Sequence, residues 1–471
     1  MLIQSSGLSK VKDSVTEKIF LGNQPNAELI AILAVYFVQG ILGLSRLAVS
    51  FFLKDELLLS PVQVSALLGA AFLPWMIKPV FGFISDGLPI FGYRRRPYLI
   101  LSGILGTVSW VSMATIVHTS WAAAIAIGLS SLSVAMSDVI VDSLVVERAR
   151  GESQAKAGSL QSLCWGSSAI GSLITAYLSG FLLQYFSTHT LFWIVALFPL
   201  IVSAAAWLIA ESPISKEGKD SDRTNIPPIK HQLAQLRQVI SQKNIWLPTA
   251  FIFIWQATPS ADSAFFYFTT NELHFEPEFL GRVHLVTSFA SLAGVWIFQR
   301  FLKSIPFRVV FAWSAVFSSI LGMTMILLIT HTNRLLGIDD HWFSLGDSLI
   351  LSVMGKIAFM QVMVLAARVC PDGVEATLFA LIMSIFNLGG SVSHALGALI
   401  THWLGITATN FDLLWLLVLI TNLSRLLPLP FIGWLPAAEE KIQTSKDEQQ
   451  PFLPDLMSDL VVRKPESGVV E

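Results

Sequence analysis

Hydrophobic and polar positions do not alternate along this chain; they separate into long blocks. Twelve apolar runs are each long enough for a helix to cross a bilayer, which takes about 20 residues. They stand at 29–52, 61–85, 97–117, 121–145, 158–185, 191–210, 246–268, 279–301, 307–329, 348–369, 376–404 and 411–435. The pattern predicts an all-α membrane protein with twelve transmembrane helices. At the second run, Ser60 and Pro61 set a capping hydroxyl before a proline at the first helical position. The fifth and eleventh runs are long enough to tilt. A polar stretch at 211–243 separates six runs from six. Inside it Leu233, Leu236, Val239 and Ile240 recur at helical spacing, as in an amphipathic helix lying on a membrane surface. The expected organisation is a tail (1–28), a six-helix bundle (29–210), a linker (211–245), a second six-helix bundle (246–435) and a second tail (436–471).

Composition sharpens this picture. Of 471 residues, 54% are hydrophobic and 13% charged, against about 45–50% and about 25% in soluble domains. An ordinary cytosolic enzyme, a disordered chain and a nucleic-acid binder are all excluded. A net charge of −2 says little, but the placement of the cations says more. Alternate loops carry Arg94, Arg95 and Arg96, then Arg148, Arg150 and Lys156, then Lys216 to Lys243, then Arg300, Lys303, Arg308 and Arg368. The opposite loops hold little beyond Lys54 and Arg334. By the positive-inside rule both termini are expected in the cytoplasm. The mixed charges of residues 1–28 fit neither a secretory signal nor a transit peptide. Cys164 and Cys370 lie in or beside apolar runs, so no disulfide framework is implied. No zinc motif, phosphate loop or nucleophile elbow occurs, and no cofactor or metal is expected.

The chain also repeats itself. A shift of 216 residues pairs Ala34 with Ala250, Phe37 with Phe253, Ala48 with Ala264, Phe52 with Phe268, Glu56 with Glu272, Leu57 with Leu273 and Pro61 with Pro277, without a gap. Two six-helix halves related about the membrane normal describe the major facilitator architecture, in which the halves rock about a site at their interface. Between the second and third runs, Gly82 and Asp86 are followed by Gly87, Pro89, Gly92 and the arginines Arg94–Arg96. This arrangement resembles the facilitator signature. The resemblance implies a conformational latch built on Asp86 with Arg94, Arg95 and Arg148; the arginines also set topology.

Five blocks narrow the resemblance: Asp86-Gly-Leu-Pro-Ile-Phe-Gly-Tyr-Arg-Arg-Arg-Pro-Tyr (86–98), Ser137-Asp-Val-Ile-Val-Asp-Ser-Leu-Val-Val-Glu-Arg (137–148), Trp255-Gln-Ala-Thr-Pro-Ser-Ala-Asp-Ser-Ala (255–264), Phe266-Tyr-Phe-Thr-Thr-Asn-Glu-Leu (266–273) and Gly373-Val-Glu-Ala-Thr-Leu-Phe-Ala-Leu (373–381). They resemble the folate-biopterin transporter family over residues 36–404. The resemblance implies secondary transport of folates or pterins, commonly with protons, in cyanobacteria, plants and protozoa. A bacterial plasma membrane is expected ahead of a chloroplast envelope, and a monomer is the expected working unit. The alternatives are a facilitator-like protein that delivers pigment or assists assembly, and a membrane prenyltransferase. The second would need two aspartate-rich motifs, and only Asp138 to Asp142 is present.

A charge near the bilayer centre costs at least about 2.5–3.5 kcal/mol, so each one calls for a reason. Asp138 and Asp142 are one helical turn apart and share a face. Two such acids do not both ionise easily, which suits proton coupling; a structural bridge to Arg148 or to the Asp86 loop is the other reading. Arg46 and Asp262 correspond under the 216-residue shift and are expected either to face each other or to pair within their own halves. Pro259 weakens the helix just before Asp262. A pterin presents adjacent donors that a carboxylate receives, and folate adds two carboxylates. Asp262 and Trp255 are therefore candidates for the ring, and Arg46, Lys78 and Lys356 for the tail.

Asp86→Asn is expected to keep expression while reducing transport, because the halves lose a state-specific brace. Labelling of single cysteines from the external side is expected to fall. Wild-type labelling together with wild-type uptake would remove the latch.

Overall fold

The computed structural model describes Phe20 and residues 23–149, 154–213, 242–302, 305–369 and 375–436, with the backbone alone at Asp86 and a few further positions. The expected surface helix at 229–240 and most of both tails lie outside these residues. Among the described residues eleven helices have the length and composition to cross a membrane. Spans 1 to 6 are Ala27–Glu56, Pro61–Ser85, Arg96–Thr115, Ser120–Arg148, Ser159–Tyr185 and Thr188–Leu208. Spans 8 to 12 are Pro277–Leu302, Arg308–Ile329, Asp340–Ala366, Leu378–Trp403 and Leu414–Trp434. Span 7 is the twelfth crossing, and it comes in two pieces, Lys243–Gln256 and Asp262–Asn271. Neither piece is long enough to cross alone.

The interruption lies where Pro259 removes a backbone donor and blocks the preceding turn. Unwound backbone at membrane depth survives only where protein satisfies it, and span 11 does so. Ser260 N–H donates to Ser393 O at 3.2 Å, and Ser393 Oγ donates to Thr258 O at 2.6 Å. Gly397 admits this approach, since a Cβ there would lie 2.0 Å from Ser260 O.

Under the 216-residue shift the same region of span 1 tightens into a 3-10 turn at Leu42–Leu44 but stays helical. The duplication is sharpest just after these two spans. Leu58 and His274 both take left-handed backbone angles, with φ of 52° and 55°. Leu57 N–H bonds to Phe52 O and Leu59 N–H to Leu53 O; Leu273 N–H bonds to Phe268 O and Phe275 N–H to Thr269 O. Each turn leads to a helix opening on proline, Pro61 in one half and Pro277 in the other.

The two halves meet at the end remote from the termini. Tyr267 Oη donates to Leu59 O. Lys54 Nζ donates to Asn271 Oδ1 at 2.9 Å, and Tyr177 Oη to Glu278 Oε1 at 3.1 Å. Phe51 sets its edge against Phe266, centroids 5.3 Å apart. Spans 2 and 11 lie side by side, with Ser65 Oγ donating to His394 O and Ser391 Oγ to Gly69 O, each at 2.9 Å. Spans 5 and 8 cross backbone to backbone: a Cβ on Gly180 would lie 2.2 Å from Pro277 O, and one on Gly281 2.8 Å from Gly180 Cα. At the other end the described polar contacts stay within a half. Arg148 binds Asn26 and Gln24, and Arg308 binds Leu435 O and Gly433 O.

Gly180→Ala must push spans 5 and 8 apart, because backbone cannot yield as a side chain can. Overpacking of this kind costs about 1–3 kcal/mol, enough to shift an equilibrium roughly tenfold. A single cysteine at Ser50, behind the seal, is expected to react faster with an impermeant maleimide from the remote side. Unchanged labelling would show that the crossing widens without opening the seal.

Candidate functional site

Two polar clusters occupy the interior. In the first half, span 2 brings Lys78 to span 4, where its Nζ forms an ion pair with Asp138 Oδ2. The ammonium also lies over the Trp75 ring, 4.8 Å from its centroid. One turn along span 4, Asp142 Oδ1 accepts a hydrogen bond from Tyr36 Oη of span 1. Both members of the ion pair are nearly buried, with side chains 18% and 12% exposed. Sequence spacing places Asp138 beside Asp142; it carries no signal that Lys78, sixty residues away, is the partner of Asp138. Arg148 does not reach the pair. Its guanidinium donates to Asn26 Oδ1 at 2.7 Å and to Gln24 O at 3.0 Å, bracing the residue that caps span 1.

In the second half, the break in span 7 opens onto a cavity of about 360 Å³. Asp262 begins the second piece, its backbone N–H donating to Ser260 Oγ at 3.1 Å. Trp255, Phe265, Phe359 and Phe386 supply flat apolar walls. Trp255 is held edge-on against Phe311, centroids 5.1 Å apart. Arg425 of span 12 lines the same cavity and lies within electrostatic reach of Asp262 and of Asp347 on span 10. Asp347 accepts from Thr324 Oγ1. The break near Pro259 and the joint placement of Trp255 and Asp262 are as the sequence leads one to expect. The proximity of Arg425 and Asp347 is not, because the residues that meet come from three different spans.

The remaining candidates disperse. Arg46 is exposed on span 1 and its electrostatic neighbour is His284 of span 8, not Asp262. Lys356 lies over the Phe359 ring at 4.8 Å and does not itself line the cavity. The backbone of Asp86 is helical and its side chain is outside the described residues. Arg94, Arg95 and Arg96 turn their backbone N–H groups onto one carboxylate, Glu211, at 2.5–3.1 Å. Three converging N–H groups at a helix start make an anion cradle, and Glu211 thus caps span 3 from across the half. Arg95 further binds Glu147 at 2.8 Å and Ser85 Oγ at 3.1 Å, while Arg96 stacks on Tyr93 and Trp207.

A profile of the BT1 family matches residues 39–455. The chain belongs to the BT1 family. It is 58% identical over 455 residues to the folate-biopterin transporter of Synechocystis, covering 97% of this chain and 90% of that protein. Folate transporter 2 of Plasmodium falciparum is 31% identical over 420 residues, covering 89% and 90%. The probable folate-biopterin transporter 2 of Arabidopsis thaliana is 31% identical over 428 residues, covering 89% and 85%. Among solved structures, the nucleoside transporter NupG superposes with a TM-score of 0.64 at 13% identity, covering 87% of this chain and 100% of that one. The D-xylose-proton symporter gives 0.62 at 12% identity, covering 88% and 98%. The fold is that of the major facilitator superfamily, and the chain is a multi-pass membrane protein.

Glu211→Ala removes the acceptor of three N–H groups at the start of span 3. Loss of a cap costs about 0.5–2 kcal/mol, and the charge-assisted bonds place this one toward the upper end. The melting temperature of the purified protein in detergent is expected to fall. An unchanged value would mean that water replaces the carboxylate at no cost.

Proposed function

We propose that this protein carries folates or pterins across a membrane by alternating access, in symport with protons. The observation that carries the reading is the second-half cavity: a carboxylate, Asp262, beside the flat faces of Trp255 and Phe265, in a chain whose curated relatives are named folate and folate-biopterin transporters. A pterin edge offers adjacent N–H donors to such a carboxylate, and aromatic walls accept its faces. Proton coupling is assigned to Asp138 and Asp142 in the first half. A transporter whose relatives carry these names is not a prenyltransferase, and the reading of pigment delivery has no residue to favour it here.

On the positive-inside assignment the termini are cytoplasmic, the sealed end is external, and the conformation is open inward. The bacterial plasma membrane is the proposed location, the lipid bilayer the surround, and a monomer the working unit. Asp86, Arg94, Arg95 and Arg148 are kept as the cytoplasmic latch, which acts when the external side is open. Arg46 and Lys356 are the proposed anchors for the folate tail. Lys78, the third cation proposed for the tail on sequence, is taken up by Asp138 and is left out of the tail site.

The test is uptake into proteoliposomes with an imposed pH gradient, comparing folate with biopterin. Losing one charge-assisted hydrogen bond to a tail carboxylate costs roughly 1.5–3 kcal/mol, or about one to two powers of ten in affinity. Arg46→Gln and Lys356→Gln are therefore expected to weaken folate uptake far more than biopterin uptake, at matched surface level. Asp262→Asn is expected to weaken both. Equal losses of the two substrates in the cation variants would end the tail assignment, and a wild type indifferent to the pH gradient would end the coupling.

A further inference from the structure

We propose that Asp142 alone carries the coupled proton, and that the Lys78–Asp138 ion pair is its fixed electrostatic reference. The inference rests on the proton-symport reading above and narrows it to one carboxyl group.

The geometry separates two acids that sequence spacing leaves equivalent. Asp138 is engaged by an ammonium, and that ammonium is itself held over Trp75. Asp142 is engaged by a phenol, which brings a hydrogen bond and no charge. The charged and titratable groups around Asp142 are Tyr36 on span 1, Lys78 on span 2, Asp138 on its own span and Cys164 on span 5. One cation therefore faces two carboxyl groups. Arg148, the next cation along span 4, is turned away onto Asn26 and Gln24.

A buried ion pair is costly to break from one side, because the remaining charge is left without its partner. The second carboxylate in the same low-dielectric setting shares that one ammonium without an ion pair of its own. Protonation of Asp142 leaves the cluster neutral, with Lys78 and Asp138 still paired, whereas protonation of Asp138 strands the ammonium beside it. The step is a single O–H bond formed on Asp142 from a hydronium or water of the aqueous phase and broken again to the other side. Tyr36 reports it mechanically. Its hydroxyl donates to the carboxylate, and a carboxyl that gains a proton accepts that bond more weakly, so span 1, which bears Arg46 and leads into the turn where Leu59 meets Tyr267, is coupled to the protonation state of span 4.

The experiment uses the full-length protein in proteoliposomes, with folate accumulation under an imposed pH gradient and counterflow at equal pH as separate readouts. Asp142→Asn is expected to lose concentrative uptake, the inside-to-outside ratio falling to one, while measurable counterflow persists. The pair Asp138→Asn with Lys78→Gln removes the ion pair as a unit and is expected to keep concentrating substrate. Asp138→Asn alone is expected to lose both readouts. Concentrative uptake by Asp142→Asn would overturn the proposal. So would a double variant that shows counterflow and cannot concentrate, since the ion pair would then carry the proton. Should a variant fail to fold, an infrared pH titration of purified wild type against the double variant decides the matter. A protonated-carboxyl band that titrates in both supports Asp142, and its loss in the double variant overturns the assignment. A wild type that does not respond to the gradient sinks the symport reading itself, which is a different result from any of these.

Discussion

An ammonium in the interior of a membrane bundle has to find a carboxylate, and much of the first half is arranged around that requirement. Lys78 and Asp138 lie on separate spans, so their pairing fixes how spans 2 and 4 face each other. Trp75 closes over the ammonium, and Tyr36 ties span 1 to the acid one turn away. Removal of either charge leaves the other without its partner in a nearly buried setting. The surplus carboxyl of this arrangement is therefore a property of the packing and not only of the count of acids.

The second half descends from the same ancestral pattern and has taken a different course. Gly294 stands where the 216-residue shift would place the counterpart of Lys78, and Ile252 stands where it would place that of Tyr36. In their stead Pro259 breaks span 7, and span 11 stitches the break with Ser393 and Gly397. Where one half holds a charge cluster, the other holds a walled cavity lined by Arg425 and Asp262, with Asp347 within electrostatic reach of the arginine.

Much of the fold is legible in the sequence, because lipid demands long apolar helices and leaves little freedom elsewhere. The runs at 61–85 and 307–329, for example, anticipate Pro61–Ser85 and Arg308–Ile329 closely. The duplication is legible too, down to Leu57 and Leu273. The sites are less so. Asp138 and Asp142 announce themselves by a four-residue spacing, and Asp262 by the proline before it. The partners of Lys78 and Arg425, and Glu211 as a cap, do not, since each contact runs to another element and helical periodicity says which face a side chain takes but not what stands opposite. Arg94 to Arg96 misled in a particular way: their charges drew attention, while their backbone N–H groups made the contact with Glu211.

The crossing of Gly180 over Gly281 has a mechanical consequence. Where Gly180 meets Gly281 the two helices touch through backbone, and that patch has no rotamers to reset when they tilt. Such a crossing works as a bearing. The hydrogen bonds of Tyr177 and Tyr267 beside it can part and re-form while this patch keeps contact, a geometry that suits a roll about a preserved axle as the seal opens.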